Sequence, residues 1–222
     1  PVGLTPWAVQ PRMWTFLRGQ LGVGKVVNRR VKYADGMTLT LVPATLADRE
    51  EVWRWMTTPG IVERMMGPPL FPDVEPPDWD EFKEDWVPHF WTHDVPEQGR
   101  CFILMDSEHG QLGLFAHNDV ILLGDGRRGC ELDMWLRSPV YMGRGYGPRA
   151  LELLCTLLAR ELGVAVAFLQ PSARNPGAIR AYAKAGFTRF KGMPTDVYIL
   201  FGVPPDYHDS VFMWRDITGL AS

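Results

Sequence analysis

Two acids and three glycines stand where chemistry could be done. Glu131 and Asp133 lie two apart in the alternating run CELDMWLR. Successive side chains of a strand point to opposite faces, so both carboxylates share one face, where they could accept protons or simply meet solvent. Downstream, MGRGYGPRALELL sets Gly143, Gly145 and Gly147 at alternate positions ahead of Pro148 and a leucine-rich stretch. A helix start leaves backbone N–H groups unpaired, and its dipole favours an anion there by about 0.3–1 kcal/mol. Glycines let such a loop curl with no Cβ in the way of a phosphate. The backbone from Met142 through Gly143, Arg144, Gly145 and Tyr146 to Gly147 therefore suits a pyrophosphate, with Pro148 fitting the first helical position. A tight strand-to-helix turn would use the same residues. The spacing is not G-x-G-x-x-G, and no acid ends a following strand about 20 residues on to meet a ribose, which disfavours a dinucleotide. Further along, Asn175 and Tyr182 are seven residues apart, two turns of a helix opened by the pair NP. By themselves they read as a helix cap and a packing tyrosine beside Ile179.

The elements that must position these groups follow from periodicity. The chain alternates from Val26 toward Tyr33, turns at ADG and alternates again through MTLTLVPA, a hairpin signal. Thr45 with Asp48 resembles a capping box ahead of a helix whose face is Leu46, Val52, Trp53 and Met56. A proline-rich loop from Pro68 to Pro77 precedes DWDEFKEDWVPHFW, a helix by the recurrence of Trp79, Phe82 and Trp86 until Pro88. CFILMD, QLGLFAH, a run near Val120 to Leu123 and CELDMWLR read as strands. The helix behind the glycines presents Leu151, Leu154, Cys155, Leu158 and Leu162 on one face. Then come the apolar run VAVAFL, a helix from Asn175 to about Ala185, and late strands near VYILF and SVFMWRDI. Two helices that each connect β-type runs imply an α/β class with a mixed sheet. Residues 1–36 read as an arm with an extra hairpin strand, and 37–222 as the main domain.

Composition removes other classes. A net charge of −3 leaves no basic footprint for nucleic acid. No uncharged stretch approaches the roughly 18–20 residues that span a bilayer. Cys101, Cys130 and Cys155 have neither a disulfide framework nor metal-ligand spacing, which fits a cytoplasmic protein. His89 and His93 have i, i+4 spacing but no intervening Glu after the first His and no third ligand, so no metal site is expected. GQLGVGKV at 19–26 fits part of a phosphate-binding loop, yet Val26 replaces the metal-binding hydroxyl and no helix follows.

The stretch GRGYGPRALELLCTLLARELGVAVAFLQPSARNPGAIRAYAKAGF resembles the core of the GNAT family of acyl-CoA N-acetyltransferases, with its glycine loop, helix, apolar strand and N-P-x-A-I-R-x-Y-x-K-x-G-F ending at Phe187. Met142 departs from the Gln or Arg usual there, which touches only a side-chain contribution. The resemblance implies a GNAT fold, a mixed central sheet splayed at the acetyl-CoA site with helices on both faces. It places the pyrophosphate on the amides of 142–147 and the pantetheine arm beside the backbone of Trp135 and Leu136. It also makes Tyr182 the donor to the departing thiolate and Asn175 a contact of the cofactor arm.

N-acetylation needs a neutral amine, and freeing an alkyl ammonium (pKa near 10.4) of its proton at pH 7 costs about 4–5 kcal/mol. A carboxylate can accept that proton, and a phenol can serve the thiolate. Asp133 precedes Gly143 by ten residues, as the Asp proposed to be the base does in aminoglycoside 6'-N-acetyltransferases, which EFKEDWVPHF also resembles. That likeness gives Asp133 the base role, with Glu131 assisting through water. The branch commonly carries DP after the apolar strand, where this chain has Gln170 and Pro171, and Asp125 in GDG could stand near another acidic contact. From Asp73 to Glu97 nine acids face Lys83 alone, interleaved with aromatics, which suits a cationic acceptor. Within that run Asp80, Glu81, Glu84 and Asp85 fall opposite the aromatic face, as a solvated surface. The expected activity is acetyl transfer from acetyl-CoA to a small-molecule primary amine by direct attack. A protein amine, an N-hydroxylated lysine, or a non-catalytic acyl-CoA-binding module are the alternatives. The basic N-terminal arm could make a weak contact with an acidic surface, and extra packing across the sheet or a homodimer edge fits equally.

Overall fold

The computed structural model describes residues 30–65, 75–206 and 209–221. The phosphate-loop-like stretch, most of the N-terminal arm, and much of the proline-rich loop, with Asp73, lie outside the described residues.

The described chain builds one nine-stranded sheet. In chain order its strands are β1 (Arg30–Lys32), β2 (Thr38–Pro43), β3 (Arg100–Asp106), β4 (Gly110–His117), β5 (Ile121–Leu122), β6 (Arg128–Leu136), β7 (Val166–Leu169), β8 (Thr188–Arg189) and β9 (Met213–Asp216). They lie in the order β1-β2-β3-β4-β6-β7-β9-β8, with β5 paired to β6. Every pairing is antiparallel except β6 with β7. That parallel pair needs a crossover, and the helix behind the glycines supplies it. The mixed sheet is the one expected, and the ADG hairpin is present as β1 paired with β2 through Gly36 at φ 89°.

The helices are α1 (Arg49–Met56), α2 (Val62–Met65), α3 (Trp79–Asp85), α4 (His89–Thr92), α5 (Tyr146–Leu162), α6 (Pro176–Lys184) and α7 (Pro194–Phe201). Leu151, Leu154, Cys155 and Leu158 of α5 and Tyr182 of α6 bury against one face of the sheet with Phe102, Phe115 and Leu132. Val52, Trp55 and Met56 of α1, Phe82 of α3 and Trp91 of α4 bury against the other with Cys101, Ala116 and Trp135. Helices thus cover both faces.

Two local expectations change. VYILF lies in α7, not in a strand. Pro194 opens that helix, the Asp196 carboxylate accepts from the Met193 amide at 2.7 Å, and Val197 and Phe201 bury against Phe168 and Phe212. N-terminal chemistry and spacing of four override the β-type residues. At the second site, Asp48 does accept from the Thr45 amide at 2.7 Å, but the Thr45 hydroxyl donates to the same carboxylate and caps no helical amide. The helix accordingly starts later, at Arg49. A capping box does form at α3, between Asp78 and Glu81.

Candidate active site

Where β6 passes Glu131, the sheet opens. The ladder to β7 runs through Gly129–Val166, Cys130–Ala167 and Glu131–Phe168 and stops, while β6 continues along β4 until Leu136 lies opposite Gly113. From Leu132 to Leu136 the strand is paired on its β4 edge alone. Pro171, which has no N–H to give a ladder, follows Gln170 as β7 turns away. An open cleft of about 470 Å³ results, with Leu132, Asp133 and Met134 on one wall, Leu169 and Gln170 on the other, and Tyr182 beneath.

The glycine loop closes one end. Gly143 and Gly145 have φ of 74° and 84°, a region that costs other residues about 1–2 kcal/mol. A Cβ on Gly143 would meet nothing within 4 Å, so the backbone angle, not crowding, demands glycine there. Gly147 differs: its φ is ordinary, but a Cβ would come 3.3 Å from the Met134 Cε. No side chain caps α5 at Gly145, so its first amides face the loop's open side. Helix α5 begins at Tyr146 rather than Pro148, which makes the proline its third residue, another position whose N–H has no partner within the helix. Arg144 is exposed, Met142 packs its side chain against both cores, and Tyr146 buries its ring with its hydroxyl 3.4 Å from His109 Nδ1. Met142 and Tyr146 can therefore serve an anion only through backbone. The unpaired edge of β6 and this uncapped, glycine-lined helix start fit the extended arm and the pyrophosphate of an acyl-CoA.

Asp133 and Tyr182 meet in the cleft from opposite faces. Leu132 and Met134 join the α5 core, so Asp133 points the other way, with Trp135, in a cross-strand row with Ala116 and Cys101. Tyr182 belongs to the α5 side and reaches the gap where β7 has left. Burial holds the Asp133 carboxyl above its usual range, partly offset by a hydrogen bond that Asn118 Nδ2 donates to Oδ2 at 3.0 Å. Burial first, and the Asp133 charge second, push the Tyr182 phenol up.

Glu131 Oε1 accepts from Gln170 Nε2 at 3.0 Å, and the same amide lies 3.0 Å from the Pro204 carbonyl and 3.4 Å from Asp206 Oδ1. Asn175 caps α6, accepting from the Ala178 amide at 3.1 Å, and donates to the Arg64 carbonyl at 2.9 Å. Its side chain thus pins α2 across the cleft as well as bordering it. Trp135 and Leu136 are buried, and the Trp135 indole N–H donates to the Val52 carbonyl at 3.3 Å. Asp125 is not in the cleft wall; it pairs with Arg127, which also binds Asp216. Among the four acids assigned to the outer surface, Asp80, Glu81 and Glu84 are exposed, but Asp85 is half-buried, with its pKa raised to about 6 by burial and by Glu84 and Glu81. His89 and His93 turn their Nε2 atoms to different carbonyls, those of Gln98 and Ala44. Sequence reasoning missed Asn118, Arg64 and Asp206. All three sit at element ends or in loops, where no periodicity marks them.

The acetyltransferase (GNAT) domain model matches residues 38–188. Among solved structures, the aminoglycoside acetyltransferase AAC(6')-Ib in complex with coenzyme A is similar at a TM-score of 0.59 and 22% identity, covering 80% of this chain and 94% of its own. AAC(6')-Ib with ribostamycin and coenzyme A superposes at 0.60, also with 22% identity, over 80% and 93%. The spermidine N-acetyltransferase from Vibrio cholerae in complex with CoA and spermine gives 0.60 with 18% identity over 83% and 98%. The likeness to these structures is one of fold. With the family model spanning more than half of the chain, over the same strands that open to form the cleft, the protein belongs to the GNAT family of acetyl-CoA-dependent N-acetyltransferases.

Proposed function

We propose that this enzyme acetylates a primary amine of a small polycationic molecule by direct attack, with Asp133 as base and Tyr182 as donor to the departing thiolate. The observation that carries the reading is the meeting of those two side chains in the cleft where β6 and β7 part. A carboxylate whose proton affinity is raised by burial is a better acceptor for an ammonium proton than a free one. The Tyr182 hydroxyl stays protonated across neutral pH and makes no hydrogen bond among the described residues, which leaves it available to a sulfur. Acetyl-CoA supplies the activated acyl group. The backbone of 142–147 would hold its pyrophosphate, and the free edge of Leu132 to Leu136 its arm.

The acceptor class follows from charge and from the neighbours. Asp133 and Asp206 line the cleft, and Glu131 is tied to it through Gln170. The solved neighbours carry ribostamycin or spermine, both polyamines in the chemical sense. Gln170 stands where the aminoglycoside branch commonly has an acid, so the acidic contacts here are arranged differently and a shorter polyamine is as good a candidate as an aminoglycoside. In Asp133→Asn, kcat is expected to fall about 10²–10⁴-fold while calorimetric acetyl-CoA binding stays within about twofold, as for a group that acts on the proton alone. Tyr182→Phe is expected to lose about 10²-fold in kcat with the same binding. Thiol release with aminoglycosides, polyamines, peptide amines and N-hydroxylated lysine identifies the acceptor; turnover confined to peptide amines would overturn the small-polycation reading.

A further inference from the structure

The geometry points to Asn118 as the positioning residue of this site: its side-chain amide fixes Asp133 in orientation and charge state, and its own backbone is clamped by a buried polar chain that starts at the far end of α5. The inference rests on the reading of Asp133 as base.

Asn118 Nδ2 donates to Asp133 Oδ2 at 3.0 Å, and no other hydrogen bond to that carboxylate exists among the described residues. A half-buried carboxylate with a single fixed donor has one oxygen held and the other free to face an amine. Asn118 follows β4 directly, in a loop, and a loop residue holds a geometry only if its backbone is restrained. Here it is restrained twice. Its amide donates to the Glu131 carbonyl at 2.9 Å, so it is locked to the strand that carries Asp133. Its carbonyl accepts from His117 Nδ1 at 2.8 Å.

The tautomer that makes this contact is enforced. Arg100 Nε donates to His117 Nε2 at 3.3 Å, so Nε2 is the acceptor and the ring proton must sit on Nδ1. Arg100 is 2% exposed, and its Nη1 donates to Glu161 Oε2 at 2.8 Å in the last turn of α5. Helix α5 thus begins at the glycine loop and ends at the ion pair from which the chain to Asp133 starts. A change in the donor seat and a change in the base share one rigid element.

Charged and titratable groups near Asp133 come from every side: Glu131 on its own strand, Cys101 on β3, Tyr182 on α6, with Arg64 and Asp206 in the same cleft wall and Arg49 of α1 near Cys101. None of these hydrogen-bonds to the carboxylate, so Asn118 is the contact whose loss should show. The test compares wild type, Asn118→Ala, Asn118→Asp and Asp133→Asn. Asn118→Asp keeps the shape, exchanges the donor for an acceptor and adds a charge, so it carries the test if Asn118→Ala folds poorly.

The acidic limb of kcat/KM against pH is expected to move up by about one unit in Asn118→Ala, the value of one hydrogen bond to a charged group, and further in Asn118→Asp. At neutral pH kcat should fall about tenfold in Asn118→Ala, with KM for acetyl-CoA unchanged. Variants that fold and bind acetyl-CoA but keep the wild-type limb overturn the positioning role, while an inactive Asp133→Asn leaves the base reading intact. Full turnover in Asp133→Asn overturns the base reading and this inference with it.

Discussion

Under α5 and α6 the sheet is covered by Leu151, Leu154, Leu158 and Ala150, an aliphatic layer on one helix of 17 residues. Under α1, α3 and α4 it is covered by rings. Trp53, Trp79, Phe82 and Trp86 follow one another at centroid distances of 5.8, 6.1 and 6.0 Å, and Trp86 meets Trp135 edge-on at 5.1 Å. The helices on that side have only four to eight residues. Side-chain to backbone bonds tie them, from the Trp53 indole to the Pro77 carbonyl and from the Trp91 indole to the Trp86 carbonyl. Short helices have little stability of their own and rely on such contacts. On the proposed function, the long aliphatic side would carry the backbone seat for the acyl donor, and the aromatic side, built from short helices, would border the acceptor.

The aliphatic side carries a buried polar inclusion at His117, and its pH response is the largest change expected in stability. His117 is fully buried, and burial, then the neighbouring Arg100, lower its pKa to about 3, with His93 and Glu161 the other titratable groups nearby. The folded protein binds this proton less readily than the unfolded chain. The stability it contributes is thus complete above about pH 6.5 and is lost as pH falls toward 3. Between pH 6.5 and 4.5 that is roughly 2–3 kcal/mol from one group. Urea unfolding at the two pH values should show the drop in wild type and a smaller one in His117→Gln. Equal drops would mean that the inclusion is not what separates the two sides.

The same contrast sets what could be read beforehand. On the donor side every part has a local signature: three alternate glycines, a helix of leucines at spacings of three and four, a four-residue apolar strand and an NP cap. The parallel pair and its crossover follow from those, because a strand, a helix and a strand in succession leave few arrangements. The place of Asp133 in the cleft, though not its role, was legible by its interval to the loop. On the acceptor side the signals were composition and mixed spacing. Asp85 shows the difficulty, since it lies on the polar side of α3 by periodicity yet is half-buried at the helix's last residue. VYILF is helical for a different reason: α7 is defined by its Pro194 and Asp196 start more than by its interior. Asn118 and Asp206 were illegible because their partners are 15 and 36 residues away in sequence.

A milder break of the donor side is Gly145→Val. The loop must keep φ near 84° at that position, and a β-branched residue there costs about 1–2 kcal/mol. Because the loop faces open space, the chain can relax out of the cradle geometry instead of unfolding. Acetyl-CoA affinity is then expected to fall about 5–30-fold by calorimetry, with the amine KM at saturating acetyl-CoA unchanged. A change in the amine KM of similar size would show that the two sides are not separable.

Gln170 sharpens the comparison from the acceptor side, with the smallest effect. Its amide is a cationic acceptor's competitor, since it already engages Glu131 and lies within reach of Asp206. In Gln170→Leu the two carboxylates lose that donor and become freer to meet a second ammonium on the acceptor. Both remain partly open to water, so the gain is that of a solvated ion pair, about 0.2–1 kcal/mol. KM for a polyamine is therefore expected to fall no more than about fivefold, while KM for a monoamine of the same reactive end stays as it was and acetyl-CoA affinity does not move. The monoamine is the internal control, because it has no second charge to profit from the released acids. If both amines respond alike, the acids at Glu131 and Asp206 act on the reacting nitrogen or on the fold. If neither responds, Glu131 and Asp206 lie outside the acceptor's reach.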